Sequence, residues 1–317
     1  MTGACEPAPR HNGENSSFLD RPLCSAFPVK WEVALYGTLV LIAGLTRFWD
    51  LGGRAIHFDE SQHAAFGWYL YTGRGYQHHP VTHGPFQFHL MALTYFLFGA
   101  SDFTARISHA LFGTALVTLP YFLRHQLGRW GGLAVSLLLL VSPSIMYFSR
   151  FARNEVYICV WTMLLVISLF GYMRERRPLF LYLGSAALSL SFATKEVAYI
   201  TVAIFLAFLL IVSGQELVRK AFKQHFDLSD LSGPGVFLIL WGTLALPQFS
   251  AGALVIGRWL RLDPSAPVVL LGQRLTQENL IAGIVLLGLF ALSALVGLRW
   301  NARLWLTATE KPPHMGI

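Results

Sequence analysis

Two adjacent carboxylates in the stretch HFDESQHA are the residues best suited to chemistry in this sequence. Asp59 and Glu60 follow the first long apolar run, and histidines stand on both sides of them. A carboxylate can act as a general base that takes a proton from an attacking hydroxyl group. Imidazole and carboxylate together also bind Zn²⁺ or Mn²⁺. His57, His63 and His79 therefore leave a divalent metal cofactor as an open alternative to histidines that hydrogen-bond headgroups or substrate.

Cations lie in two short segments further along the chain. SRFARNEVY contains Arg150, Arg153 and Glu155, and FATKEVAY contains Lys195 and Glu196. Guanidinium groups offer planar, multidentate donors that match phosphate oxygens. The alternative is structural, because charges at the ends of membrane spans often extend to the interface or form ion pairs. We treat these five residues as candidates for binding a substrate and its phosphate. His83, in the HGP sequence between the acid pair and these segments, is a further candidate.

The composition identifies the elements that must position these residues. Hydrophobic residues make up 54% of the chain and charged residues only 13%, which excludes an ordinary soluble domain. The net charge of +7 is better explained by contacts with anionic membrane lipids than by nucleic acid. The sequence predicts an all-α, polytopic transmembrane helical bundle with about eight spans. These are Trp31 to Thr46, Ile107 to Leu123, Trp130 to Ser149, Val156 to Met173, Pro178 to Thr194, Val197 to Gln215, Leu231 to Gly257 and Asn279 to Leu298.

The sidedness of the loops depends on a further apolar segment, residues 84–101. If this segment lies in the membrane interface, fourteen of the twenty-four Lys and Arg residues face the cytoplasm. That bias agrees with the tendency of cytoplasmic loops to be positive, whereas a ninth span would reverse it. We therefore predict that both termini are cytoplasmic and that a first outer loop runs from about residue 48 to 106. All of the candidate site residues then lie on the outer face of the cytoplasmic membrane.

The stretch after the acid pair predicts a short helix on the membrane surface. Ala64, Trp68 and Tyr71 share one helical face, and Gly73 offers a stop. Asp59 would lie at the N-terminus of this helix, where backbone N–H groups favour negative charge, so a simple N-cap is the alternative to catalysis. The domain prediction is a disordered cytoplasmic tail over residues 1–30, a transmembrane domain over 31–300 and a short cytoplasmic tail over 301–317.

The same residues resemble a known superfamily. RFWDLGGRAIHFDESQHA, YQHHPVTHGPFQFHLMALTYFLFGASDFTAR, YFSRFARNEVY and SFATKE look like the N-terminal half of a GT-C glycosyltransferase, over about residues 31–249. Within the superfamily the chain is most similar to enzymes described as flippase-activity-associated proteins. These are relatives of protein O-mannosyltransferases and of lipid A aminoarabinose transferases.

The resemblance implies a GT-C-like fold with juxtamembrane helices on the outer face. It also implies that Asp59 is the catalytic base, with Glu60 as its neighbour, and that Glu155 occupies an acidic position of the second outer loop. Members generally continue with more spans, so the resemblance implies a truncated chain that is inactive alone.

The expected function is that of an inverting membrane glycosyltransferase. It transfers a sugar from a polyprenyl-phosphate carrier to an acceptor hydroxyl on the extracytoplasmic side. The alternatives are a transporter or flippase for lipid-linked saccharides and a membrane component without catalysis. Transporter sites usually lie near the bilayer midplane, whereas the charges of this chain gather at the ends of its predicted spans.

Overall fold

The described part of the chain is mostly helical, as the sequence predicts. The structure, a computed structural model, describes residues 18–20, 22–24, 27–75, 83–221, 231–259, 267–270 and 273–276. Its α-helices are α1 (Trp31–Phe48), α2 (Phe58–Tyr71), α3 (Phe86–Phe98), α4 (Asp102–Thr118), α5 (Arg124–Leu127), α6 (Arg129–Val141), α7 (Pro143–Ser149), α8 (Glu155–Glu175), α9 (Pro178–Thr194), α10 (Val197–Ala221) and α11 (Gly233–Trp259). Two antiparallel hairpins, which the sequence did not predict, are formed by β1 (Pro22–Cys24) with β2 (Phe27–Lys30) and by β3 (Pro267–Leu270) with β4 (Gln273–Thr276).

Three helices of the described residues are long and apolar enough to cross a membrane. They are α1, α8 and the part of α10 from Val197 to Glu216, and the pair α6 and α7 gives a fourth if the two form one bent span. The apolar helices α3 and α9 and the Gly233–Phe249 part of α11 are shorter. The predicted span Asn279 to Leu298 lies outside the described residues. The chain is thus a membrane protein by these helices, and the number of about eight spans stays a prediction.

The predicted span from Trp130 to Ser149 is bent by 63° between α6 and α7. Ser142 and Pro143 interrupt the helix, because proline cannot continue the backbone hydrogen-bond ladder, and the Ser142 side chain accepts from the N–H of Ile145 instead. The buried Arg47 side chain of α1 donates to the carbonyl of Leu139 near the end of α6. The bend therefore leaves the carbonyl of Leu139 to a side chain of another helix.

Residue contacts divide the chain into two compact units. The first contains residues up to Ile167 together with Ala193–Lys195, and the second contains Ser168–Phe192 and the residues from Glu196 onward. In the first unit α1 packs against α4 and α6 through Ala43, Val117 and Leu140.

In the second unit α10 packs against α11, where the Phe205 and Trp241 rings lie 5.8 Å apart between centroids. The helix α11 continues through Pro247.

The N-terminal segment has structure from Phe18 onward. A 3-10 turn at Phe18–Asp20 places the fully buried Leu19 against Tyr36 and Leu133, ahead of the first hairpin. The sequence predicted a disordered tail over residues 1–30, and within it the structure describes the elements at 18–20, 22–24 and 27–30. Residues 1–17 lie outside the described residues.

The helix predicted after the acid pair is confirmed as α2, which packs against α3, and its position on the membrane surface stays a prediction. Ala64 and Trp68 contact a buried cluster that contains Met91 and Tyr95, and the Tyr71 ring lies 6.2 Å from that of Tyr95. The 13 residues of α3 rise about 20 Å, which is short of the roughly 30 Å of a hydrocarbon core. The pair α2 and α3 thus forms a helical platform that carries the acid pair.

Candidate active site

The N-terminus of α2 fixes the direction of the two acids. His57 is the N-cap residue, and its Nδ1 atom accepts a hydrogen bond from the N–H of Asp59 at 3.3 Å. The interpretation of Asp59 as the cap is therefore wrong. Asp59 lies in the first turn with 44% of its side chain exposed, whereas the side chain of Glu60 is fully buried. Neighbours in the chain thus differ completely in their access to solvent.

Glu60 is held by a buried arginine and by two backbone N–H groups. Arg106 of α4 donates from Nε to Oε1 at 2.8 Å and from Nη2 to Oε2 at 2.7 Å. The N–H of Ala152 donates to Oε1 at 2.9 Å and that of His57 to Oε2 at 3.1 Å. Burial raises the pKa of Glu60, but these hydrogen bonds outweigh it, so the pKa lies below its ordinary value. Glu60 is therefore ionised, and each of its two oxygens accepts two hydrogen bonds.

Arg106 links Glu60 to the loop between α1 and α2. Its Nη1 atom donates to the carbonyls of Leu51 and Arg54 at 3.0 and 2.8 Å, and its Nη2 atom donates to that of Ala55 at 3.3 Å. Together with the two bonds to Glu60, these contacts use the full donor set of a guanidinium group. The ion pair therefore ties α2, α4, the 51–55 loop and the backbone at Ala152 into one rigid frame.

Asp59 begins a row of alternating charges on the exposed side of this frame. Arg153 Nη1 lies 3.0 Å from Asp59 Oδ2, and Arg153 Nε lies 3.7 Å from Glu155 Oε1. Lys195 Nζ lies 2.7 Å from the same Glu155 oxygen. The structure thus brings together four of the residues predicted from the sequence, although they come from three separate segments. We call Asp59, Arg153, Glu155 and Lys195 the charge row.

The HGP segment, His83 to Pro85, positions the chain just before Lys195 next to the charge row. We call residues 193–196 the lysine turn. The N–H of Gly84 donates to the carbonyl of Thr194 at 3.2 Å, and a Cβ atom at Gly84 would lie 2.1 Å from the carbonyl oxygen of Ala193. Only glycine allows the two backbones to approach this closely. Two residues into α3, Gln87 donates to the carbonyl of Ala152 at 2.9 Å. The start of α3 thus fixes both the 152–155 segment and the turn before Lys195.

His63 and His83 stack beside the charge row, with ring centroids 6.5 Å apart. Burial, with smaller contributions from the charges of His83 and Arg153, lowers the pKa of His63 to about 4, against the opposing charges of Glu155 and Asp59. His63 is therefore neutral at physiological pH. Its Nδ1 atom is buried and has no hydrogen-bond partner among the described residues.

Two predicted phosphate-binding residues lie elsewhere. Arg150 donates to the carbonyls of Thr46 and Asp50 at 3.0 and 3.3 Å, and it lines a cavity that contains none of the charge row. Glu196 is exposed and belongs to the second unit. The charge row therefore includes Arg153 and Lys195 but neither of these two.

The metal hypothesis finds no support in the described residues, where no three His, Cys, Asp or Glu side chains are grouped to hold an ion. His57 serves as a helix cap. His79 lies outside the described residues.

Sequence reasoning missed two residues of the site. Arg106, the partner of Glu60, lies 46 positions away, and only a charge at the start of an apolar helix marked it. Asn154 stands between Arg153 and Glu155 and is almost fully buried, yet neither atom of its amide has a hydrogen-bond partner among the described residues. A buried amide of this kind can bind a substrate hydroxyl or water. Its place inside the RNE triplet was the available signal.

Part of the chain is similar to a known family of membrane glycosyltransferases. Residues 79–228 match the family model described as dolichyl-phosphate-mannose-protein mannosyltransferase. No curated protein matches the chain. The matched segment includes Arg153, Glu155 and Lys195 and begins after Asp59. This match and the apolar helices support a membrane glycosyltransferase of the GT-C type.

Proposed function

We propose that the chain is an inverting glycosyltransferase that moves a sugar from a polyprenyl-phosphate carrier to an acceptor hydroxyl. The observation that carries the proposal is the charge row. In this row Asp59 is exposed, Arg153 lies between Asp59 and Glu155, and Lys195 lies beside Glu155. The reaction needs one base and several cations but no second, acidic carboxyl group, because a phosphate leaving group is weakly basic. The row offers this combination.

In the proposed mechanism Asp59 is the general base. Its carboxylate takes the proton of the acceptor hydroxyl as the oxygen attacks the anomeric carbon. The new glycosidic bond forms on the face opposite the breaking bond to the carrier phosphate, so the configuration inverts, and the bonding electrons leave with the phosphate. Arg153 and Lys195 stabilise the charge that develops on its oxygens.

The ion pair between Asp59 and Arg153 suggests an order of events. Before the donor binds, Arg153 occupies one oxygen of Asp59 at 3.0 Å. The donor phosphate is a diester with one negative charge, which increases as the sugar leaves. It competes for the guanidinium, so donor binding draws Arg153 away and frees the carboxylate for the acceptor. Glu155 keeps Arg153 and Lys195 near each other in both states, and Glu60 acts as a positioning residue through the α2 backbone.

The membrane topology belongs to the same proposal. We propose about eight spans, cytoplasmic termini in the cytoplasmic (inner) membrane, and a charge row that faces outward. The short length of α3 supports an interfacial position for residues 84–101. An outward site suits a polyprenyl-phosphate donor, whose sugar is presented at the membrane surface. The donor, the outer face and the acceptor hydroxyl are each open to test.

The experiment is glycosyl transfer and release from a panel of radiolabelled polyprenyl-phosphate sugars by membranes that contain the protein. Asp59→Asn removes the base but keeps the size of the side chain, and we expect it to lower the rate by about 10²- to 10⁴-fold. Asp102→Asn is the matched control, because Asp102 also lies in the first turn of a helix but takes no part in the charge row. A parallel series with a chelator tests the divalent metal alternative.

The outcomes separate the alternatives. Equal rates for the wild type and Asp59→Asn would remove Asp59 as the base. Movement of intact lipid-linked saccharide across vesicles without release would favour the transporter or flippase. Neither transfer nor movement of the saccharide by the wild type would leave a membrane component without catalysis.

A further inference from the structure

A second basic site lies at the end of α1, apart from the charge row. A cavity of about 220 Å³ is lined by Asp50, Leu51, Arg54, Arg106, Met146, Tyr147 and Arg150. One water molecule takes up roughly 30 Å³ of liquid, so the cavity has room for a group of several heavy atoms. It is smaller than a typical pocket for a drug-sized ligand, which suits a headgroup better than a whole molecule.

The cavity is lined by residues of both charges. We call Arg54 and Arg150 its positive pole and Asp50 its negative pole. Arg54 is more than half exposed, and its guanidinium lies over the rings of Tyr147 and Phe151 at 5.8 and 5.5 Å from their centroids. Arg150 is fixed by backbone carbonyls, so its charge is not neutralised by a carboxylate within the described residues. The two arginines provide the kind of donors that bind phosphate oxygens.

Asp50 provides the negative pole. Its backbone is in the left-handed region, with φ at 46°, which places its side chain over Gly53 at the turn. None of the ion pairs among the described residues involves its carboxylate. Arg106 contributes little net charge because Glu60 compensates it. A ligand that uses both poles therefore carries a phosphate and a cationic N–H donor.

The surroundings indicate that this ligand is a lipid. Leu51, Met146 and Tyr147 give the cavity apolar walls. Trp49, next to Asp50 in the chain, is 76% exposed, and Phe58 at the start of α2 is 71% exposed. Exposed aromatic side chains of this kind are enriched where a membrane protein meets the headgroups. The cavity thus combines a polar interior with apolar walls, and exposed aromatic residues lie nearby in the chain.

We propose that this cavity binds the headgroup of an aminophospholipid, with its phosphate on Arg54 and Arg150 and its ammonium on Asp50. The inference rests on the location in a membrane and not on glycosyl transfer. It also connects to the frame of the candidate active site, because Arg54 Nη2 lies 3.6 Å from Glu60 Oε2 and Arg106 forms part of both. The lipid would thus bind next to the residues that hold α2.

The test measures lipid retention by the full chain in detergent, by native mass spectrometry during titration with three phospholipids. Phosphatidylethanolamine has the phosphate and an N–H donor, phosphatidylcholine lacks the N–H donor, and phosphatidylglycerol lacks the cation. We expect phosphatidylethanolamine to bind about tenfold more tightly than the other two, because only its ammonium hydrogen-bonds to a carboxylate. Soluble phosphoethanolamine tests whether a free ligand suffices.

Three variants assign the poles. Asp50→Asn should lower the affinity for phosphatidylethanolamine to that for phosphatidylcholine and leave phosphatidylglycerol unaffected. Arg54→Gln should weaken all three. Arg74→Gln is the matched control, because Arg74 is also an exposed arginine over two aromatic rings, those of Trp68 and Tyr69, but lies outside the cavity.

Several results would overturn the proposal. Equal binding of the three lipids, or an effect of Arg54→Gln no larger than that of Arg74→Gln, would remove the headgroup site. Binding of soluble phosphoethanolamine without retention of lipid would show that the source of the ligand is not the membrane. Asp59→Asn should bind the lipids as the wild type does, so a failure of the proposed glycosyl transfer would leave this result unchanged.

Discussion

Asp59 and Glu60 are neighbours in the chain but have opposite environments. Glu60 is fully buried, and both of its oxygens are occupied by Arg106 and by backbone N–H groups. Asp59 is 44% exposed, and it has one ion pair with Arg153, which is itself 30% exposed. Buried charges with complete hydrogen bonding are fixed in place, whereas exposed pairs exchange partners readily. The comparison teaches that Asp59 is accessible to a substrate, whereas Glu60 is fixed by its hydrogen bonds.

The largest effect is expected when the buried acid loses its charge. Glu60→Gln keeps the shape of the side chain but leaves the Arg106 guanidinium buried without a counter-charge. We expect a loss of about 3 to 5 kcal/mol in the free energy of unfolding, as for other broken buried ion pairs. Thermal unfolding of the purified protein in detergent measures this loss. Asp59→Asn is the control and should stay within about 1 kcal/mol of the wild type.

Low pH should reduce the difference in stability between the wild type and Glu60→Gln. Because its hydrogen bonds lower the pKa of Glu60 below the ordinary 4.5, the stabilisation by its carboxylate is present above pH 4.5 and is lost as the pH falls through the lowered value. The wild type should therefore approach Glu60→Gln in stability at low pH. A constant gap between the two proteins over the whole acid range would contradict the ion pair.

His63 should make stability depend on pH in a different window. The unfolded chain binds a proton to His63 below about pH 6.5, but the folded protein does so only near pH 4, because the site is buried. The wild type should therefore lose about 3 kcal/mol from this group as the pH falls from 6.5 to 4. His63→Gln should be less sensitive by that amount in unfolding experiments over this pH range. Parallel curves for His63→Gln and the wild type would contradict a buried, neutral histidine.

The sequence predicted the exposed charge row better than the buried ion pair of Glu60 and Arg106. The acid pair, the RNE triplet and the lysine turn were recognisable because charges in an apolar chain are rare, and the bounds of α9 agree with the predicted span Pro178 to Thr194. The pairing of Glu60 with Arg106 was not predictable, since it depends on how α2 and α4 pack across 46 positions. No pattern within a single segment encodes that distance.

The bend after Val141 shows a similar limit. Ser142 and Pro143 are a visible signal for a helix end, but the uninterrupted apolar pattern on both sides predicted one straight span. The close approach of Gly84 to Ala193 was equally hidden, because a glycine in a loop has many explanations and only the neighbouring backbone selects one. Local signals identified the residues, and tertiary packing decided which of them meet.

A methyl group at Gly84 should disturb the contact between the HGP segment and the lysine turn. Gly84→Ala places a Cβ atom 2.1 Å from the carbonyl oxygen of Ala193, so one backbone must move. We expect a loss of about 1 to 3 kcal/mol in stability, as for overpacked sites, together with a lower transfer rate, because Lys195 follows this turn directly. Gly44→Ala is the control, since a Cβ atom there meets nothing within 4 Å. An unchanged melting temperature for Gly84→Ala would show that the two segments do not touch.

The smallest effect on stability is expected at the charge row itself. A double-mutant cycle with Asp59→Asn and Arg153→Gln measures the coupling between the two side chains in unfolding experiments. Because both groups are partly exposed, solvent screens the pair, and we expect a coupling of only about 0.2 to 1 kcal/mol. The same two variants should nevertheless have large effects on transfer if Asp59 is the base and Arg153 binds the donor phosphate. A coupling of several kcal/mol would instead make the pair a structural anchor like that of Glu60 and Arg106, and the contrast between the two neighbouring acids would disappear.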